Sequence, residues 1–152
     1  MKIIITEEQN EKLNKKIRLT VEKLGLEQSR EIFGDGIIKQ AYIENPSLFL
    51  NQFNNLKPVE KGDKIFYVDN DNLPLFYYYK KEQELKNGFY YISYYRIWVF
   101  FRRVMGYKRI EIQKIIKEWL DVVYNLRELV PDCEFPESEI DWEQPIIKTS
   151  PT

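Results

Sequence analysis

Apolar residues at Ile112, Ile116, Trp119, Val123, Leu126 and Val130 recur at steps of four and three, which puts all six on one face of a helix. Ile115, Val122 and Leu129 widen that stripe. Lys114, Lys117, Asp121, Asn125 and Glu128 make the opposite side polar, so the pattern predicts one long amphipathic helix. Just before it, Tyr94 to Met105 is apolar nearly all round, with Ile97, Trp98, Val99, Phe100 and Phe101 consecutive. A helix of that kind is buried on most sides. Gly106 ends it, and the stretch from Ser93 to Val130 reads as a helical hairpin.

Earlier in the chain the same periods predict the remaining elements. Lys2 to Ile5 reads as a short strand. Thr6 with Gln9 has capping-box spacing for a helix over 7–24 that turns Leu13, Ile17, Val21 and Leu24 inward and stops at Gly25. Helical pieces over 27–33 and 37–43 follow, parted by Gly34-Asp35-Gly36. Asn45 as cap and Pro46 as first residue open another that carries Leu48, Phe49, Phe53 and Leu56 inward. From Pro58 to Gly62 the pattern breaks. Ile65 to Val68 and Leu75 to Tyr79 are then rich in β-branched and aromatic residues on either side of Asp69-Asn70-Asp71-Asn72, which predicts a β-hairpin, with a third strand over 89–92 and Ser93 as the next helix cap. The fold class is therefore α+β: a helical N-terminal part, a small antiparallel sheet and a C-terminal helical hairpin. Residues 1–130 form one domain in this reading. Residues 131–152, with four prolines, six acidic residues and one lysine, form an acidic tail.

Composition narrows the function more than the fold. Histidine is absent, which removes the usual general base, the usual metal ligand and every Ser-His or Cys-His pair. Cys133 is the only cysteine, so a zinc site of ordinary composition has no ligands, a disulfide within the chain has no second half, and a reducing compartment is indicated. Flanking Asp132 and Glu134 make that thiol a poor nucleophile. Asp69-Asn70-Asp71-Asn72 opens like a calcium loop, but the sixth position is Pro74 and the twelfth Lys80, so it reads as a turn. Glu111 and Glu118 sit among lysines on a polar helix face. No metal, no cofactor and no catalytic residue is assigned, and the chain is read as non-enzymatic. The N-terminal MKIIITEEQ is too short for a signal-peptide core and no run is long enough to span a bilayer, which predicts a cytoplasmic protein with no membrane partner.

Charge is uneven although the net value is −1. Lys80 to Lys117 holds ten basic residues against three acidic ones, and Glu118 to Thr152 holds nine acidic residues against two basic ones. Region 89–117 interleaves cations with aromatic rings, the arrangement that holds nucleic acid, and Arg96, Arg102, Arg103, Lys108 and Arg109 are its candidate contacts, with Arg96 and Arg103 on one helix face. The acidic tail carries Phe135, Ile140 and Trp142, which are candidate anchors for another protein.

The opening Met1-Lys2-Ile3-Ile4-Ile5-Thr6-Glu7 and the block Trp119 to Arg127 resemble small uncharacterised proteins of large tailed bacteriophages. The abundance of Ile, Asn, Lys, Tyr and Phe, with Ala41 the only alanine, fits the AT-rich genomes of such phages. That resemblance implies an accessory or virion-associated component acting in the host cytoplasm or the virion, and it implies no functional residue. The first expectation is thus a protein that binds another protein, the alternative a nucleic-acid-binding domain using region 89–117. Oligomeric state is left open.

Overall fold

In the computed structural model, residues 6–80, 90–126, 133–134 and 143–146 are described. The predicted strand over 2–5, the predicted helical residues 127–130 and Phe89 lie outside them. The class is α+β, as predicted: α1 (Glu7–Leu24), α2 (Leu26–Phe33), α3 (Asp35–Tyr42), a 3-10 helix (Pro46–Phe53), strands β1 (Lys57–Lys61), β2 (Lys64–Val68), β3 (Pro74–Tyr79) and β4 (Tyr90–Ile92), a π-helical segment, α4 (Arg109–Tyr124) and the short β5 (Cys133–Glu134). Among the described residues no helix is long and apolar enough to cross a membrane.

Local chemistry sets most boundaries. The Gln9 N–H donates to Thr6 Oγ1 (3.2 Å) and the Thr6 N–H to Gln9 Oε1 (3.1 Å), the reciprocal pair that starts α1. Ile17 and Val21 are fully buried, whereas Leu13 and Leu24 at the ends of the predicted stripe are exposed. Gly25, at φ 86°, ends α1 and opens α2 within one residue, a backbone that a side chain would strain. Asn45 makes no side-chain cap, and the helix it precedes is the tighter 3-10 form. Ser93 does cap, its Oγ accepting from the Arg96 N–H at 3.4 Å.

The sheet runs in sequence order, β1 to β5, antiparallel except for β5, which lies parallel to β4 with Tyr90 opposite Cys133. β1 is a strand where the sequence shows only a break. Its five residues, KPVEK, carry one apolar side chain, Val59, because it is the charged outer edge that lets a sheet end in water. In β3 every residue from Pro74 to Tyr78 is buried, so the sheet is covered on both faces. Tyr67, Phe76, Tyr78, Tyr90 and Ile92 join the main core with the helices. Phe66, Val68 and Tyr77 form a second cluster on the far side with Val59, Tyr79, Tyr91 and Ile146. Two stretches of the acidic segment thus lie on the sheet, β5 along its edge and Ile146 on its far face, where the Ile146 N–H donates to the Asn72 carbonyl at 2.8 Å.

The predicted α-helix over 94–105 is instead π-helical over Tyr94–Trp98 and Phe100–Val104, closed by five-residue bonds such as Met105 N–H to the Phe100 carbonyl at 2.9 Å. Ile97, Trp98, Val99, Phe100 and Phe101 are all buried, as the apolar run requires. Gly106, at φ 73°, turns the chain into α4. Ile112, Ile116, Trp119 and Leu120 of α4 face the core, but Asn125 in the left-handed region stops the helix before the predicted Val130. Leu126 is buried beyond the helix end, and Val122, predicted to widen the stripe, is 77% exposed. Polar groups of α4 fix the strand entry: Trp119 Nε1 donates to Asn54 Oδ1 (2.9 Å), and the Tyr124 hydroxyl accepts the Leu56 N–H (3.0 Å) while donating to the Phe53 carbonyl.

Candidate functional site

Three stretches distant in sequence meet at one cleft of about 300 Å³, lined by the α1–α2 corner (Leu24, Gly25, Leu26, Glu27, Gln28), the 3-10 helix (Phe49, Gln52, Phe53) and the first π-helical turn (Tyr95, Arg96). The corner is tight because the Gly25 carbonyl accepts both the Ser29 N–H (3.2 Å) and Ser29 Oγ (2.7 Å), which also satisfies the buried Ser29 hydroxyl. Phe49 and Phe53 are buried rings at the floor, and Phe49 stacks on Phe100 with ring centres 3.8 Å apart. Gln52 Nε2 donates to the Phe49 carbonyl at 2.9 Å, which fixes its amide. Tyr95 is 66% exposed at the mouth and meets the Tyr94 ring edge to face.

Arg96 is the charged wall of the cleft, and Asp69 holds it. Arg96 Nη2 donates to Asp69 Oδ2 at 2.6 Å, and the guanidinium sits 5.5 Å from the Phe53 ring centre. Asp69 Oδ1 meanwhile accepts the N–H groups of Asp71 (2.9 Å) and Leu73 (3.0 Å), so the Asp69–Asn72 stretch is the hairpin turn predicted for it. One carboxylate therefore ties the turn to the π-helical segment. Asp69→Ala is expected to destabilise the fold by about 2–4 kcal/mol, because it takes the counter-charge from a half-buried guanidinium and the acceptor from the Leu73 N–H. Chemical denaturation reads this directly; Asp69→Asn, which keeps the turn acceptor, is expected to cost less.

The sequence-predicted contacts divide. Arg96 is half-buried and bound to Asp69, and it does not share an exposed face with Arg103, since the π-helical turn and the ion pair draw it toward the sheet. Arg102, Arg103, Lys108 and Arg109 are exposed at the turn around Gly106, where Arg102 Nη1 donates to the Tyr107 carbonyl at 3.1 Å. Glu111 caps α4 by accepting the Lys108 N–H at 3.1 Å. Phe135, Ile140 and Trp142 lie outside the described residues. Among the described residues no group of three or more Cys, Asp or Glu side chains gathers to hold a metal ion.

No protein-family model, curated protein or solved structure matches this chain.

A second surface went unread in the sequence. The outer side of α1 carries Lys12, Lys15, Lys16 and Lys23 around Leu19, which is 54% exposed, in a shallow depression of about 490 Å³ that Thr20 and Leu24 complete. No carboxylate lies within ion-pair distance of those four lysines among the described residues. Leu24 lines both this depression and the cleft, so the two adjoin at that residue. The signal was available as lysines three, four and seven apart, on the face opposite Ile17 and Val21. Burial pushes up the hydroxyl pKa values of Tyr42, Tyr67, Tyr78, Tyr107 and Tyr124, and none of these five lines the cleft.

Proposed function

We propose that this chain is a non-enzymatic binding protein whose partner is nucleic acid, engaged at the turn between the π-helical segment and α4. What supports this is the crowding there: Arg102, Arg103 and Lys108 are all exposed within seven residues, and Arg109 is exposed beside them. Like charges packed so closely repel one another in water, and a polyanion relieves that repulsion while releasing its own counterions. A phage-encoded accessory or virion component is the setting proposed, on the resemblance of residues 1–7 and 119–127.

A second reading keeps another protein as the partner, bound by Phe135, Ile140 and Trp142. It is supported by β5 and Ile146, which fix both flanks of that stretch on the sheet and so lower the entropy lost on docking. The two readings separate on one double variant. Arg102→Glu with Arg103→Glu changes exposed side chains and is expected to lower the thermal unfolding midpoint only slightly, through loss of the Arg102 bond to the Tyr107 carbonyl, while weakening DNA binding by about tenfold or more in a fluorescence anisotropy titration. Undiminished binding by that variant would remove the turn as the contact surface.

A further inference from the structure

Resting on the nucleic-acid reading, we propose that the lysine face of α1 and the adjoining cleft form a track for a single strand, with backbone phosphates along Lys12, Lys15, Lys16 and Lys23 and one unpaired base seated at the cleft against Tyr95. Four observations converge on it. The lysines are exposed, lack carboxylate partners among the described residues, and span twelve residues of helix, about 16 Å of basic surface. The strip and the cleft adjoin at Leu24, which lines both. The cleft offers an exposed ring, Tyr95, at its mouth, as sequence-tolerant stacking of a base requires. Its first π-helical turn is a rare backbone form that recurs at functional sites.

A single strand fits better than a duplex because a base stacks on the exposed Tyr95 ring and enters the cleft beside it only when unpaired. A base also fits better than the anchor of an acidic peptide. Glu27, Gln28 and the Gln52 carbonyl oxygen on the cleft wall can accept hydrogen bonds from a base amino group, whereas an apolar peptide anchor offers them no donor. Leu19 and Leu24 then provide apolar contact for sugar and base faces between the phosphate sites.

The test titrates a fluorescein-labelled oligothymidylate of about 15 nucleotides and a duplex of equal length with the full chain, between about 50 and 200 mM salt. Lys15→Gln with Lys16→Gln is expected to weaken single-strand binding and to flatten the slope of log K against log salt by about 1.4, two phosphate contacts at about 0.7 each. Tyr95→Ala is expected to weaken single-strand binding by about five- to a hundredfold with the slope unchanged and duplex binding unaffected. All three side chains are exposed, and unchanged melting curves establish that the variants fold. If the α1 and Tyr95 variants bind like the parent while Arg102→Glu with Arg103→Glu does not, the track is wrong and nucleic-acid binding at the turn stands. If the parent binds neither oligonucleotide but binds polyglutamate through the α1 lysines, the track is a protein-docking face and both readings fall.

Discussion

Phe100→Ala is expected to lower the stability of this protein by about 3–5 kcal/mol, a large part of the whole for a domain this size. Phe100 is fully buried in the π-helical segment and belongs to no single layer. It stacks on Phe49 of the 3-10 helix with ring planes 10° apart, meets Tyr42 of α3 edge to face at 5.0 Å, and contacts Phe101 at the same distance. Truncation therefore removes the shared contact of three elements, and a surround this aromatic closes the cavity poorly. Phe100→Leu keeps most of the volume and is expected to cost less than half as much, about 1–1.5 kcal/mol. Denaturant titration of the three proteins checks the order. A loss below about 1 kcal/mol for Phe100→Ala would mean that the cluster is not the structural centre.

Above pH 10 stability is expected to fall steeply. Tyr78 and Tyr124 are pushed up to about 12, by burial first; for Tyr78 the neighbouring Tyr67 adds to the rise, and for Tyr124 the Leu56 N–H bond partly offsets it. Burial also raises Tyr42, Tyr67 and Tyr107. In the unfolded chain these phenols ionise near pH 10, so between about 10 and 12 the folded state binds more protons than the unfolded one, and stability drops with each step upward. Their contribution is complete below pH 10 and is lost as pH rises through the folded values. At about 1.4 kcal/mol per pKa unit for a fully buried phenol, and less for the half-buried ones, the group amounts to several kcal/mol by pH 12. Denaturation midpoints that decline together with the rise of phenolate absorbance are the expected result; midpoints flat from about pH 10 to 11.5 would show the phenols to be solvated.

The parts of this fold that were legible in the sequence are those fixed by neighbours in the chain. The Thr6–Gln9 capping box, the Ile17 and Val21 face, the Asp69 turn and the Ser93 cap each depend on residues at most four positions apart. The parts that were not legible depend on distant packing. β1 is a strand because β2 pairs with it, and its charged sequence shows no alternation. The π-helical hydrogen bonding suits a segment wedged between α3, the 3-10 helix and the sheet, and no residue in it announces that form. Asn125 is a helix stop by its left-handed conformation, yet the apolar stripe running on to Leu126 and Val130 pointed to continuation. The same division holds for the candidate surfaces. The basic turn was visible because its cations are close in sequence, although Arg96 proved to belong to Asp69 instead. The α1 lysines were overshadowed by the apolar face that positions the helix, and the cleft was invisible because four elements assemble it.

The proposed binding of nucleic acid is tested most directly by titrating labelled single-stranded and duplex DNA with the unmodified protein at low and moderate salt. Binding that weakens steeply as salt rises, with a log–log slope of about −3 or steeper for the single strand, is the expected result, from four or more phosphate contacts at about 0.7 each. Absence of binding to either DNA at the lower salt, where exposed cations act most strongly, would contradict it.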